Sequence, residues 1–217
     1  MSLGVRLWVL VLMLALTGYA GFSAWRRYEQ SVQAGESRSS VKSLKDVAAA
    51  TLTERSGQPL ALKELEGKVW IGSFFFASCP GTCRQINTAI AGLQEEFKDK
   101  DVTLVSITVD PDNDTPAVLR DYAKSFNADP KRWLFLTGNF GVIKQVCQEL
   151  FAMPIDKKVH TERLVLFDKA GHSRGYFATN QPTEMAALRR GVDELLAETP
   201  AEANPPKKVV IVGGDDS

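Results

Sequence analysis

Cys79-Pro80-Gly81-Thr82-Cys83 is the most informative stretch of this chain. It follows an apolar, aromatic-rich run at residues 69–77 that is typical of a strand buried on both of its faces. After it, residues 84–97 carry apolar side chains at the spacing of one helical face. The sequence therefore predicts that the two thiols lie where a central strand turns into a helix, with Cys79 as the helix cap and Pro80 at the first helical position.

The spacing of the two cysteines indicates paired sulfur chemistry. Residues four apart share a helix face, so both sulfurs can approach closely enough for a disulfide or a shared metal ion. The positive end of the helix dipole is expected to lower the pKa of both thiols and to favour the thiolate, which attacks disulfides and binds soft metals. A purely structural disulfide in an exported domain is the alternative interpretation.

Composition limits what the pair can be. The chain has 217 residues, is 44% hydrophobic and carries a formal net charge of zero, which suits one packed core and gives no indication of nucleic acid as a partner. Three cysteines are too few for a disulfide-stapled fold, and their spacing is not that of a four-ligand zinc site. With only two histidines, any metal site must be small.

The N-terminal segment predicts a membrane anchor at residues 1–28. Residues 7–25 carry no charge and are close to the minimum length of a membrane span. A cleaved signal peptide is the alternative, because Gly18-Tyr19-Ala20 loosely resembles a cleavage site. We expect an uncleaved, single-pass anchor in a bacterial inner membrane, with the domain facing the periplasm, because a thiol pair that cycles through a disulfide is more useful outside the reducing cytosol.

The rest of the chain divides into a linker at 29–45, a globular domain at 46–198 and a disordered tail at 199–217. Further strands are predicted at 102–109, 133–137, 164–167 and 173–177, and helices at 116–126, 139–151 and 184–196. Parallel strand–helix units followed by a hairpin and a last helix predict a thioredoxin-like α/β fold, with a central mixed sheet flanked by helices. In such a fold the thiols lie at the C-terminal end of a central strand, where ligands of open sheets gather.

On these motifs the chain resembles the Sco/SenC family, over residues 51–196. Besides the cysteine motif, three stretches match the family pattern: the run from Ser106 to Pro111 with Asp114-Thr115-Pro116 after it, the run from Phe135 to Gly138, and a lone His160 ahead of Arg163-Leu164-Val165-Leu166. A three-residue gap between the cysteines also separates this family from ordinary thioredoxins, which have a two-residue gap.

The resemblance implies a membrane-anchored copper metallochaperone with Cys79, Cys83 and His160 as its metal ligands. Thiolates suit Cu(I), and an imidazole suits either oxidation state of copper. The implied partner is the cytochrome c oxidase subunit that carries the dinuclear copper site, or another copper or thiol protein. Three protein ligands leave an open side through which the ion can pass to that partner.

Two alternatives of another class use the same pair. Some members of the family are thiol–disulfide reductases, so Cys79 and Cys83 are also candidate catalytic residues of a thiol–disulfide oxidoreductase. A peroxiredoxin-like peroxidase is a weaker interpretation, because its Pro-x-x-x-Thr-x-x-Cys pattern is absent before both cysteines. The chain departs from many family members at Gly81, where an acidic residue is common, and at Arg84, where proline is common. Both departures are expected to favour the thiolate.

Three other features have ordinary structural interpretations. His172 follows Gly171 in the predicted hairpin turn and is expected to face solvent. Cys147 lies among apolar residues of a predicted helix and is expected to be a small core residue. The acidic residues at 110, 112 and 114 resemble the start of a calcium loop, but they lack its glycine and its final glutamate and are interpreted as a capped turn.

Overall fold

The computed structural model describes residues 43–153 and 163–199, together with Gly4, Tyr19 and Phe22. Nearly all of the predicted anchor lies outside the described residues, as do His160 and the predicted tail beyond Thr199. Within the part that is described, no helix is both long enough and apolar enough to cross a membrane.

Strands and helices alternate along the domain. The strands are β1 Thr51–Glu54, β2 Pro59–Ala61, β3 Val69–Phe75, β4 Val102–Thr108, β5 Trp133–Thr137, β6 Arg163–Phe167 and β7 Ser173–Ala178. The helices are α1 Thr82–Glu96, α2 Pro116–Lys124, α3 Phe140–Glu149 and α4 Pro182–Ala197, with 3₁₀ turns at Leu44–Val47 and Leu62–Leu65. The predicted order of parallel units, hairpin and last helix is confirmed.

The described strands form one mixed sheet in the order β2-β1-β5-β4-β3-β6-β7. The three central strands β3, β4 and β5 run parallel, and β6 and β7 are added to β3 as an antiparallel hairpin. Every residue of β3 and β4 is buried, as the apolar run in β3 and the alternating pattern in β4 predict. This arrangement confirms the predicted thioredoxin-like α/β fold.

The hairpin of β1 and β2 is an addition that sequence patterns did not predict. β1 pairs with the outer side of β5, where Thr53 lies opposite Thr137, and so covers what would otherwise be a sheet edge. The two strands are four and three residues long, and β2 begins with Pro59. Segments this short show no measurable alternation of polar and apolar residues.

Capping residues were predicted for the first two helices, and the structure confirms the prediction for α2 only. The Thr115 hydroxyl accepts a hydrogen bond from the Val118 N–H, and Pro116 occupies the first position of α2. The expectation for α1 was wrong, because this helix begins at Thr82 and its cap is Gly81 rather than Cys79. The physical reason is that the Cys79 N–H bonds to the Phe76 carbonyl in a turn, so the chain bends through Pro80 before the helix starts.

Both ends of the described domain meet at the turn between β6 and β7. The Leu44 N–H donates to the Gly171 carbonyl at 2.9 Å, and Gly171 takes a left-handed conformation with a φ of 79°. The Lys169 ammonium donates to the carbonyls of Leu196 and Glu198 at 3.0 and 3.1 Å. Because β6 runs antiparallel to β3, this turn lies beside the start of β3, at the end of the sheet remote from Cys79.

His172 does not face solvent, contrary to the expectation. Its side chain is 14% exposed, and its Nδ1 lies 3.6 Å from the Asp168 carboxylate. The cause is the isolated bridge between Ser43 and His172, which lays the start of the domain over the turn. The sequence of the turn alone could not show that the segment at Ser43 packs over His172.

Candidate thiol and metal site

The end of β3 and the first turn of α1 bring the two sulfurs together. Cys79 is 9% exposed and Cys83 is fully buried, and both are free thiols. The Cys83 N–H donates to the Cys79 Sγ at 3.4 Å. The predicted convergence of the two sulfurs is therefore confirmed, although Cys79 reaches Cys83 from the loop before the helix and not from within it.

The two thiols differ in acidity. Burial alone would raise the pKa of Cys79, but hydrogen bonds from the backbone and side chain of Cys83 and from the N–H groups of Gly81 and Thr82 outweigh burial and lower that pKa. For Cys83, burial comes first, and donation of its own S–H to Cys79 adds to it, so its pKa rises to about 12. The expectation that both pKa values fall was wrong for Cys83, because the helix dipole does not compensate for full burial.

The acidic turn at residues 110–114, which follows β4, contacts the loop that carries Cys79. One Asp114 oxygen accepts the Ala77 N–H at 3.0 Å and also the Thr108 hydroxyl. Both oxygens of Asp110 accept from the Asn113 amide at 3.0 Å. The interpretation as a capped turn is thus confirmed, and the contact of Asp114 with Ala77 adds a link between the ends of β3 and β4 that the sequence did not indicate.

A buried polar network lies beneath Cys83. Asn87, one turn further along α1, is fully buried, and its Nδ2 donates to the Cys83 carbonyl and to the Tyr122 hydroxyl oxygen, each at 3.0 Å. The Ser106 hydroxyl lies 3.4 Å from the Asn87 Oδ1 and 3.0 Å from both the Ser73 hydroxyl and the Trp133 Nε1. Asn87 was not predicted as a site residue, although a polar residue on the buried face of α1 was a usable signal.

Tyr122 is the half-buried member of this network, and its hydroxyl oxygen accepts from Asn87. Its ring stacks on Phe75, with centroids 5.1 Å apart and planes 19° from parallel. Burial raises the pKa of Tyr122 to about 12, although the hydrogen bond from Asn87 acts in the opposite direction, so the hydroxyl keeps its proton at neutral pH. No sequence pattern singled it out, because its nearness to the thiols depends on how α2 packs on the sheet.

Two open grooves flank the thiol loop. One, of about 440 Å³, lies between the loop residues Ala77 and Ser78 and the α2 residues Val118, Asp121 and Tyr122. The other, of about 450 Å³, is lined by Pro80, Gly81, Arg84, Gln85 and Thr88.

The two departures from the family pattern lie in the second groove. The Arg84 guanidinium sits 5.7 Å from the centre of the Phe126 ring, where a cation is attracted to the ring face. A Cβ at Gly81 would meet no atom within 4 Å, so space does not require a glycine there.

The remaining predicted residues have different outcomes. His160 lies outside the described residues, and its role stays a prediction. Across residues 43–153 and 163–199, no group of three histidine, cysteine or acidic side chains is arranged to hold a metal ion. Cys147 is fully buried in α3, and burial raises its pKa, which confirms it as a core residue.

A pair of free, unequal thiols after a central parallel strand defines a thioredoxin-like dithiol protein. Residues 44–193 match the SCO1/SenC family model, and the chain belongs to that family.

Individual relatives agree with this. The SCO1 protein homolog of Bacillus subtilis is 33% identical over 95 residues, which are 43% of this chain and 49% of that protein, so the chain spans about half the length of this curated relative. A SCO1/SenC family lipoprotein from Bacillus anthracis superposes with a TM-score of 0.62 at 30% identity, covering 67% of this chain and 91% of that one. Copper-bound ScoI of Bradyrhizobium japonicum superposes with a TM-score of 0.52 at 25% identity, covering 67% and 96%.

Proposed function

We propose that this protein is a copper metallochaperone that holds one copper ion through Cys79, Cys83 and His160. The observation that carries the proposal is the pair of free sulfurs in contact at the end of β3, one of them with a lowered pKa. Thiolates are the ligands that Cu(I) prefers. Membership of the SCO1/SenC family and the copper in the ScoI structure from Bradyrhizobium japonicum support copper as the ion.

The topology of β6 supports His160 as the third ligand. The register of β6 on β3 runs from Phe167 opposite Trp70 to Val165 opposite Gly72, so Arg163 lies at the end of β3 that leads to the thiols. His160 precedes Arg163 by three residues, a stretch of chain that spans at most roughly 10 Å. This register supports the proposal that the His160 imidazole contacts the ion from the side of β6.

The copper is cargo in this proposal, and the chemistry of the site suits its transfer. Two sulfurs and one nitrogen leave one side of the ion open to a ligand from another protein. The recipient in this proposal is the cytochrome c oxidase subunit that carries the dinuclear copper site, and membership of the SCO1/SenC family supports that choice. Residues 7–25 would hold the domain at the bacterial inner membrane, on its periplasmic side.

Anaerobic titration of the reduced full-length protein in detergent tests the ligand set. We expect one Cu(I) per chain, and loss of tight binding when Cys79 and Cys83 are both replaced by serine. Cys147→Ser is the matched control and keeps full binding, because Cys147 is buried in α3 away from the pair. His160→Ala weakens Cu(II) binding more than Cu(I) binding, since the two thiolates still hold the softer ion.

Stoichiometric tight binding by the variant that lacks both Cys79 and Cys83 would overturn the proposal. Equal copper uptake by the Cys79–Cys83 disulfide form would do the same, because a disulfide has no thiolates to offer.

The second candidate function is thiol–disulfide exchange, and the unequal pair favours it. A more accessible thiol of lowered pKa attacks, and a fully buried thiol of raised pKa resolves the mixed disulfide. Cys79 fits the first role and Cys83 fits the second. The two functions exclude each other at any one moment, because each uses both sulfurs.

A further inference from the structure

We propose that the Tyr122 hydroxyl is a hydrogen-bond donor to a sulfur that occupies the groove beside Cys79, and that Asn87 is the residue that positions it. The sulfur belongs to a partner cysteine or to a small disulfide, and Tyr122 stabilises the negative charge that this sulfur acquires as a leaving thiolate. This inference deepens the thiol–disulfide exchange under Proposed function and rests on the same cysteine pair.

The direction of each hydrogen bond around Asn87 is fixed by the chemistry of its partners. The Cys83 carbonyl can only accept, so the Asn87 atom 3.0 Å from it must be the amide nitrogen. An amide nitrogen donates and does not accept, and the same nitrogen lies 3.0 Å from the Tyr122 oxygen. The Tyr122 oxygen is therefore an acceptor in this contact, and its own proton must point elsewhere.

The rest of the network fixes the Asn87 amide in this orientation. The Trp133 Nε1–H can only donate, so the Ser106 oxygen accepts it. The Ser106 O–H then goes to the Asn87 Oδ1, and the Ser73 O–H goes to Ser106. Each group in the network is therefore either the donor or the acceptor of a given hydrogen bond, and the opposite orientation of the Asn87 amide would place its oxygen against the Cys83 carbonyl oxygen.

Among the residues that the structure describes, the Tyr122 proton has no acceptor, and its oxygen is committed to Asn87. Tyr122 is half-buried and lines the groove of about 440 Å³ together with Ser78, which precedes Cys79 in the loop, and with Asp114 and Asp121. Asp114 accepts from the Ala77 N–H and the Thr108 hydroxyl, and Asp121 accepts from Lys124, so both carboxylates already have partners. A donor without an acceptor on the wall of this groove can hydrogen-bond to a sulfur that gains negative charge there.

The exchange step defines that ligand. The Cys79 thiolate attacks one sulfur of a disulfide RSSR, forms the Cys79–SR bond and releases RS⁻. The Cys83 thiol then loses its proton to water, attacks the Cys79 sulfur and releases a second RS⁻. The protein dithiol loses two electrons to RSSR, and the products are the Cys79–Cys83 disulfide, two RS⁻ and one proton. Tyr122 donates to the RS⁻ that leaves.

Leaving-group dependence tests this role. Reduced full-length protein in detergent, in a Cys147→Ser background, is oxidised by two uncharged reagents: bis(2-hydroxyethyl) disulfide, which releases a basic alkyl thiolate, and 4,4′-dithiodipyridine, which releases a stabilised one. A donor to the leaving sulfur matters most for the basic thiolate, so we expect Tyr122→Phe to slow the alkyl reaction roughly tenfold and the pyridyl reaction less than about twofold.

Two further variants complete the experiment. Tyr176→Phe removes the other described hydroxyl of this kind in the domain, which donates to the Phe151 carbonyl on the opposite side of β3, and it should leave both rates unchanged. Asn87→Leu should reproduce the alkyl-selective loss, because the Tyr122 hydroxyl loses the partner that orients it. The phenylalanine ring keeps the stacking on Phe75, so Tyr122→Phe remains informative even if the Asn87 variant fails to fold.

The outcomes separate this inference from the copper proposal. Equal slowing of both reagents by Tyr122→Phe would indicate a displaced thiol loop and overturn the donor role, as would no slowing of either. Copper uptake is titrated on the same preparations, and Tyr122→Phe should still bind one Cu(I). Failure of the wild-type protein to bind copper, with the alkyl-selective effect intact, would overturn the copper proposal alone.

Discussion

Cys79 and Cys83 are the same residue type but differ in acidity, because Cys79 keeps a small exposed fraction in the loop whereas Cys83 is fully buried in the first turn of α1. The donors around Cys79 come from the backbone at the start of α1 and from the Cys83 thiol. The contribution of the Cys83 thiol requires that Cys83 stays protonated, and burial raises its pKa to about 12, which keeps it so at neutral pH. In the reduced pair, Cys79 is therefore the more acidic thiol, and the Cys83 S–H donates to its sulfur.

Alkylation by iodoacetamide checks this description. Only the thiolate reacts, so the rate at Cys79 rises with pH and levels off above its pKa. Because that pKa is lowered, we expect the plateau at a lower pH than for a free cysteine in unfolded protein. Mass mapping should find Cys79 modified first, and Cys147 unmodified while the protein is folded.

A pair of variants at Cys83 separates its side chain from its backbone. Cys83→Ala removes the S–H donor and should move the rise in rate to higher pH, whereas Cys83→Ser keeps a donor and should move it less. Both keep the backbone N–H that bonds to Cys79. Identical profiles for the two variants would show that the Cys83 side chain does not set the acidity of Cys79.

At the scale of elements, the turn between β6 and β7 requires a glycine for two reasons, its backbone conformation and the close packing of Leu44 against it. Gly171 has a positive φ, and a Cβ built on it would lie 2.3 Å from the Leu44 Cβ. Gly57 also has a positive φ, of 90°, but a Cβ there would meet nothing within 4 Å. Substitutions at the two glycines can therefore distinguish the cost of backbone strain from the cost of steric overlap.

We expect Gly171→Ala to lower the free energy of unfolding by about 3 kcal/mol, since overlap with Leu44 adds to the strain. Gly57→Ala should lower it by only about 1 kcal/mol, which is the strain alone. Urea unfolding of both variants measures the difference. Equal losses would mean that the Leu44 segment moves away from the turn at no cost.

The elements that the sequence predicted well are those with long periodic patterns. Residues 69–77 were predicted as a buried strand from their continuous apolar run, and residues 102–109 from their alternation of apolar and polar side chains. Thr115 and Pro116 identified the start of α2 because capping is a local interaction. The hairpin of β1 and β2 was missed, because its strands are short and are stabilised by pairing with β5, which is distant in sequence.

The residues of the candidate site likewise fall into those that the sequence predicted and those that it did not. Cys79 and Cys83 were found because their chemistry and spacing are both visible in one short motif. Asn87 and Tyr122 were missed, because their roles come from a contact between α1 and α2, 35 residues apart in sequence. The burial of Cys83 was likewise not visible, and it reversed the direction of the predicted change in its pKa.

At the scale of the whole molecule, the proposed topology is a single uncleaved span near residues 7–25 with the domain in the periplasm. The charged residues on either side of that run give little preference, so the proposal depends on its length and on the redox chemistry of the pair. Protease added to spheroplasts should remove the domain while cytosolic markers survive. Complete protection of the domain would put it in the cytoplasm and contradict delivery of copper outside it.

Both ends of the described domain lie at the turn between β6 and β7. The two ends of the sheet therefore differ in what they carry. The chain enters at Ser43 and leaves after Glu198 beside the start of β3, and the sulfurs lie beyond its other end. Both described ends of the domain thus lie at one pole of the sheet, and the thiols lie at the opposite pole. A recipient protein that docks on the thiols approaches the described domain from the side remote from Ser43 and Glu198.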